Sequence, residues 1–231
     1  WLGDTDVCSE EMTVAKNAFV LRIAPSRVDR VEEALQSDQI IIGWSSACGL
    51  LDAELPWEQF REVIRREYYP GEPSLRRAGI AAGHMWRFIR EMDAGNLVVV
   101  PHGNEFYVAQ ITGPAEHYPD KVEEDTAFRR GVIWLNHKKP IPRAVAKSAL
   151  ISRMKTQGTC AHATDLVEAV EDALRSASGG PIPTFETDLQ NRLTGEALDE
   201  IRSGRMDSFG FERLIRAVLV GLGAEEARII P

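Results

Sequence analysis

Leu97-Val-Val-Val-Pro101, His102-Gly-Asn104 and Phe106-Tyr-Val-Ala-Gln-Ile-Thr112 decide the fold. The outer two pieces are short and rich in β-branched and aromatic residues. The piece between them has turn chemistry, so the whole reads as a β-hairpin. Downstream, Gly113–Asp125 reads as a long polar loop and Gly131–Leu135 as another strand. Upstream, Ser74 is placed to cap a helix that carries Ile80, Trp86, Phe88 and Ile89 and closes at Asp93–Gly95. Before it, Trp57–Tyr68 puts Trp57, Phe60, Val63 and Ile64 on one helical face, and Pro70, Gly71 and Pro73 stop it. Ile40–Trp44 is a buried strand, Val28–Leu35 has helical spacing, and Ala18–Ile23 is a strand running into a turn at Pro25–Ser26. Strands and helices in this irregular order predict an α+β domain.

Beyond residue 162 the pattern becomes helical. Asp165–Ser176 is amphipathic, with Leu166, Val167, Val170 and Leu174 inward; Ser178-Gly-Gly-Pro-Ile-Pro183 is a linker signal; Asp188–Ile201 and Phe211–Leu222 are further helices. The expected organisation is a mixed domain over 13–160, a helical linker over 161–206, and the start of another domain over 207–231. The 231 residues are 44% apolar and 27% charged, enough for a real core. No window offers the roughly 18–20 apolar residues of a membrane span. Cys8, Cys48 and Cys160 lie far apart, which excludes a disulfide framework and fits a cytoplasmic protein. A first residue Trp1, and an end at Pro231 just after an apolar run, read as a fragment of a longer chain.

The net charge of −8 argues against a simple basic nucleic-acid binder, but it is unevenly spread. Arg129, Arg130, Lys138, Lys139, Arg143, Lys147, Arg153 and Lys155 fall in one stretch with no acid. That stretch is either a solvated surface run or a phosphate-facing strip, and composition does not choose between them. No P-loop, G-x-G-x-x-G, H-E-x-x-H or G-x-S-x-G motif occurs, nor any Glu-x-Lys or Asp-x-Lys step. The five histidines lack ligand spacing. No catalytic set and no metal site are expected in this chain.

Three ordered stretches carry a family resemblance: Ile40-Ile-Ile-Gly-Trp-Ser-Ser46; Met85-Trp-Arg-Phe-Ile-Arg-Glu-Met-Asp-Ala-Gly-Asn-Leu-Val-Val-Val-Pro101 with Phe106-Tyr-Val-Ala-Gln-Ile-Thr-Gly113; and Val132-Ile-Trp-Leu-Asn-His-Lys-Lys-Pro-Ile-Pro142. Together they resemble the YTH/EVE branch of the PUA-like fold, a small twisted β-barrel with flanking helices that reads modified bases. The block is also similar to the domain preceding the nuclease in Mrr-type, modification-dependent restriction endonucleases. Asp207-Ser-Phe-Gly-Phe-Glu-Arg-Leu-Ile-Arg-Ala-Val-Leu-Val-Gly-Leu-Gly223 resembles the opening helix of that nuclease domain. The active-site strands would follow that helix, so the resemblance implies DNA hydrolysis, with Mg, only for a longer parent. No cofactor is implied for these residues.

What the resemblance implies here is a specificity module for modified double-stranded DNA that flips a base into an aromatic pocket. Trp44 stands where these domains have a cage tryptophan, although ordinary core packing is its other reading. Ser45 and Ser46 are placed to bond the base edge. Tyr118 is the candidate second wall with His117 beside it, and Ser26 and Arg27 follow the first strand at the pocket mouth. Lys138, Lys139 and Arg143 would hold flanking phosphates. Two other functions fit the same sequence. One is an RNA reader, distinguished by the 2′-hydroxyl; the other is an interaction module in which the helices beyond 163 form a homodimer.

Overall fold

The computed structural model describes residues 17–179, Gly210 and Arg216. The expected helices at 188–201 and 211–222 and the nuclease-like opening at 207–231 lie outside the described residues. The chain divides after Ile182, and every element below belongs to the part before it.

The architecture is α+β. Seven strands form one sheet: β1 (Ala18–Leu21), β2 (Gln39–Ile42), β3 (Leu97–His102), β4 (Glu105–His117), β5 (Phe128–Trp134), β6 (Ile141–Pro142) and β7 (Cys160–His162). Its order is β2-β5-β4-β3-β1-β7, with β6 on the start of β4. The strands are antiparallel except for β1 on β3. The sheet is open among the described residues: β2 and β7 are its two ends and do not pair, so it does not form the closed barrel that the resemblance implies.

Five helices, α1 (Val31–Ser37), α2 (Trp57–Tyr68), α3 (Arg76–Trp86), α4 (Ser148–Lys155) and α5 (Val167–Ala177), cover the sheet among the described residues. Alternation along the strands sorts the core into two layers. Phe19, Leu21, Val98 and Val100 face a cluster with Ala34 of α1, Phe60 and Ile64 of α2 and Met85 of α3. Ala18, Val20, Leu97 and Val99 face the opposite cluster, with Leu150 and Met154 of α4 and Val170 of α5. The central strands are buried on both faces, which explains their unbroken apolar runs.

Several expectations change. β4 does not stop at Thr112. Its register on β5 shifts between Ile111 and Ala115, so Gly113 and Pro114 sit in a bulge and the strand resumes to His117. Residues 161–177, expected to begin a linker, pack with the domain instead: β7 pairs with β1 and α5 joins the second core layer. Ile80 does not face inward; it is 53% exposed, and α3 buries Ala78, Ala81, Ala82 and Met85.

The acid-free stretch is not one surface strip. Arg129 and Arg130 are buried. The Arg129 guanidinium pairs with Glu33 of α1 and donates to the Thr126 carbonyl at 2.8 Å. After α3 the chain makes a π-turn over Arg87–Glu91, which frees carbonyls from their helical partners. Arg130 takes two of these: Nε donates to Phe88 O at 2.7 Å and Nη2 to Ile89 O at 3.0 Å, while Nη1 reaches Gly113 O in the bulge at 2.6 Å. Burial lowers its pKa to about 10, partly offset by the charge of Asp93.

Candidate functional site

β2 ends at Ile42, and the chain then turns at Gly43 and Trp44. Trp44 adopts φ +62°, a left-handed conformation rare for a bulky residue. Its neighbours hold it there. The amide of Ser45 donates to Asp125 Oδ1 at 2.9 Å, the Ser45 hydroxyl accepts from the Ala127 amide at 2.9 Å, and the Ser45 carbonyl lies 3.0 Å from His117 Nε2. The Ser46 amide donates to the Tyr68 hydroxyl at 2.9 Å. Gly43 is required by close approach: a Cβ there would fall 2.7 Å from Asp125 Oδ2.

This turn walls a cleft of about 460 Å³, within the range of small-ligand sites. Trp44 shares it with Tyr68 and Tyr69 at the end of α2, with Asp125 before β5, and with the Pro25–Arg27 turn after β1. Ser26 (φ +48°), Arg27 (φ +65°) and Asp125 (φ +57°) are left-handed like Trp44. Strain of this kind costs of order 1–3 kcal/mol per residue and gathers at ligand sites. Four of the eight left-handed non-glycine residues among those described, Ser26, Arg27, Trp44 and Asp125, line this cleft, which makes it the candidate site. The Ser26 hydroxyl donates to Asp125 Oδ2 at 2.8 Å, so the carboxylate bridges both strained turns. Each of its oxygens keeps a further lone pair. Burial raises the pKa of the Tyr68 phenol.

The structure brings some of the expected residues together and separates others. Trp44, Ser26 and Arg27 line the cleft. Ser45 is fully buried, and with His117 it anchors the turn without lining the cleft. His117 packs edge-on against Phe128. Ser46 contributes its amide to the same anchoring. Tyr118 is not a second wall: its hydroxyl bonds Gln39 and Glu116, and its ring lies under Arg129. Lys138, expected to hold phosphate, donates to the Leu35 carbonyl at 2.8 Å and pairs with Asp38 at 2.8 Å. Asp38 precedes β2 and Trp44 follows it, so the strand's length, about 13 Å, separates Lys138 from the cleft. Lys139 follows Lys138 at that same far end. Arg143 follows β6, next to the start of β4, and its amide bonds Asn104 O. These three do not flank the pocket.

The sequence reading missed Tyr68, Tyr69 and Asp125. The tyrosines pass as the end of an amphipathic helix. Asp125 follows three acids in a polar stretch, where solvation is the ordinary expectation. The adjacent pair of tyrosines before Pro70 was the available signal.

A smaller cavity of about 210 Å³ adjoins the cleft and shares Trp44, Tyr69 and Thr159 with it. There the Trp44 ring stacks on His84 at 6.1 Å between centroids. His84 Nδ1 lies 2.9 Å from Cys160 O, and burial lowers the His84 pKa. The Cys160 thiol is pushed up to about 12 by burial and is no nucleophile at neutral pH. Among the described residues no group of three His, Cys, Asp or Glu side chains is arranged to hold a metal ion. No described helix is long and apolar enough to cross a membrane.

The family model for a domain of unknown function, DUF8426, matches residues 23–158, more than half of the chain. The chain belongs to DUF8426. Within the DUF8426 stretch lie both strained turns, the two tyrosines and Asp125; only Thr159 of the cleft falls outside it. No curated protein and no solved structure matches the chain.

Proposed function

We propose that the DUF8426 domain reads a modified base in double-stranded DNA by taking the flipped base into the Trp44 cleft, as the specificity module of a restriction endonuclease of the Mrr type. On this reading the domain is a PUA-like reader whose sheet stays open between β2 and β7. The observation that carries the proposal is the left-handed Trp44, half-buried in a cleft with Tyr68, Tyr69 and the bridging carboxylate of Asp125.

The energetics suit such a site. Extruding a base costs a few kcal/mol, and aromatic stacking returns roughly 1–3 kcal/mol per base. A methyl group adds only about 0.8 kcal/mol when buried, so discrimination also needs hydrogen bonds to the base edge. Asp125 supplies acceptors. Carboxylate oxygens pair with the exocyclic amino groups of adenine and cytosine and are repelled by the carbonyl of thymine. Arg27, exposed at the rim, is the cleft's own cation for a backbone phosphate.

The experiment is a titration of matched duplexes carrying no modification, 6-methyladenine, 5-methylcytosine or 5-hydroxymethylcytosine, with Trp44→Ala and Asp125→Asn alongside. Tighter binding of one modified duplex, lost in both variants, supports the reading. Equal binding of all four duplexes by a folded protein would falsify it. A preference for a ribo-oligonucleotide over its deoxy counterpart would move the assignment to RNA.

A further inference from the structure

Trp44 lines both cavities, the main cleft and the smaller one that it forms with Arg77, Ile80, Ala81 and His84. We propose that this second cavity is a subsite for the nucleotide next to the extruded base, so that the domain grips a two-nucleotide step with Trp44 between its members. The proposal rests on the base-reading assignment of the first cleft.

Its lining has the chemistry such a neighbour needs. Ile80 is a large aliphatic side chain left 53% exposed on α3, although α3 has a well-formed buried face of alanines and Met85. An apolar side chain beside aromatic rings suits the flat face of a base or a deoxyribose. Arg77, one turn earlier, places its guanidinium 5.1 Å from the centre of the Tyr69 ring. Its carboxylate partner is Glu72, and its side chain stays 69% exposed. It therefore holds a solvent-facing cation over an aromatic that both cavities share, where the phosphate joining two nucleotides would pass.

His84 completes the wall. Nδ1 lies 2.9 Å from Cys160 O and 3.3 Å from the Cys160 amide, so the backbone of residue 160 holds the ring through that nitrogen and turns Nε2 away from it. Gly158, at φ +140°, lies against that edge of the ring: a Cβ there would come within 3.0 Å of His84 Cε1 and 3.4 Å of Nε2. Any side chain at 158 would crowd the imidazole edge, so a glycine keeps it open.

The test compares three probes on the full chain by calorimetry: 5-methyl-dCMP, N6-methyl-dAMP, and trinucleotides carrying each modified base at the centre. The expected result is a trinucleotide bound at least tenfold more tightly than its mononucleotide. Arg77→Ala and Ile80→Ser should each cut that ratio at least threefold. Both side chains are exposed, so the fold should survive, as circular dichroism would verify. Mononucleotide binding with no gain for the trinucleotide, or a ratio unchanged in both variants, overturns the second subsite and leaves the first cleft standing. Failure of every probe to bind overturns the base-reading assignment and the subsite with it.

Discussion

The amide of Ser45 donates to Asp125 at 2.9 Å, and through that bond a carboxylate 80 residues away in sequence fixes the turn that presents Trp44. The same carboxylate takes the hydroxyl of Ser26 on its other oxygen. One half-buried acid thus ties the strained turn after β1 to the strained turn after β2. The cleft is built from the ends of elements, and its shape depends on how those ends are pinned.

Trp44→Gly separates a binding role from a packing role. Glycine accepts φ +62° without strain, so part of the lost packing energy is returned. A tryptophan that is ordinary core loses about 3–5 kcal/mol on truncation. Trp44→Gly should cost less than about 2 kcal/mol in urea unfolding, well short of that core cost, while modified-duplex binding falls at least tenfold. Trp86→Ala is the control, since Trp86 packs edge-on against both Trp57 and Phe60. Equal stability losses for the two variants would make Trp44 a core residue.

Gly43→Ala tests the pinning from the other side. The added methyl would meet Asp125 Oδ2 at 2.7 Å, so the carboxylate must move and release Ser26 or Ser45. Losing a hydrogen bond to a charged group costs about 1.5–3 kcal/mol. A thermal melt should show a loss of that size, and base binding should weaken more than it does on Arg27→Ala. An unchanged melting temperature would mean that the bridge carries no energy.

Arg130 donates to three backbone carbonyls at once, those of Phe88, Ile89 and Gly113. Arg130→Met fills the space yet leaves Phe88 O, Ile89 O and Gly113 O without that donor, at about 1–3 kcal/mol for each buried group left unpaired. The expected outcome is an unfolded or barely folded chain by near-ultraviolet circular dichroism. Arg130→Lys, with one cationic head in place of a fork, should rescue it only in part. Native-like stability of Arg130→Met would show that water satisfies the π-turn.

His84 makes stability depend on pH, with a definite sign. Burial lowers its pKa in the folded state below the ordinary 6.5. As pH falls through 6.5, the unfolded chain takes up a proton that the folded chain refuses, so stability declines. The contribution is fully present above that value and lost below it. Urea midpoints measured from pH 7.5 down to 5 should fall, and His84→Gln should flatten part of that fall. A parallel decline in both proteins would assign it to other groups.

Much of the fold is legible in the sequence because local pattern and tertiary environment agree. Trp57–Tyr68 is helical over the whole span that its apolar spacing marks, and the 97–112 hairpin pairs as its turn residues require. Legibility ends where tertiary contacts override local chemistry. Gly113-Pro114 looks like a strand terminator, but the bulge absorbs it. Arg129 and Arg130 look like surface charge, but carbonyls and Glu33 satisfy them inside. Ser45 and His117 have the right chemistry to meet a ligand, and they spend it on the turn. The barrel expected from the resemblance needs an edge-to-edge closure that no local signal specifies.

The position of β1 has a consequence for how the chain is made. Its four residues, all buried, pair with Leu97–Val99 on one side and Cys160–His162 on the other. At about 5–20 residues per second during synthesis, β1 emerges several seconds before either neighbour exists. The hairpin and β5 can assemble from nearby segments, whereas β1 must wait for partners about 75 and 140 residues further along the chain. The nascent chain therefore carries Ala18-Phe-Val-Leu21 without a strand partner while residues 22–96 are being made.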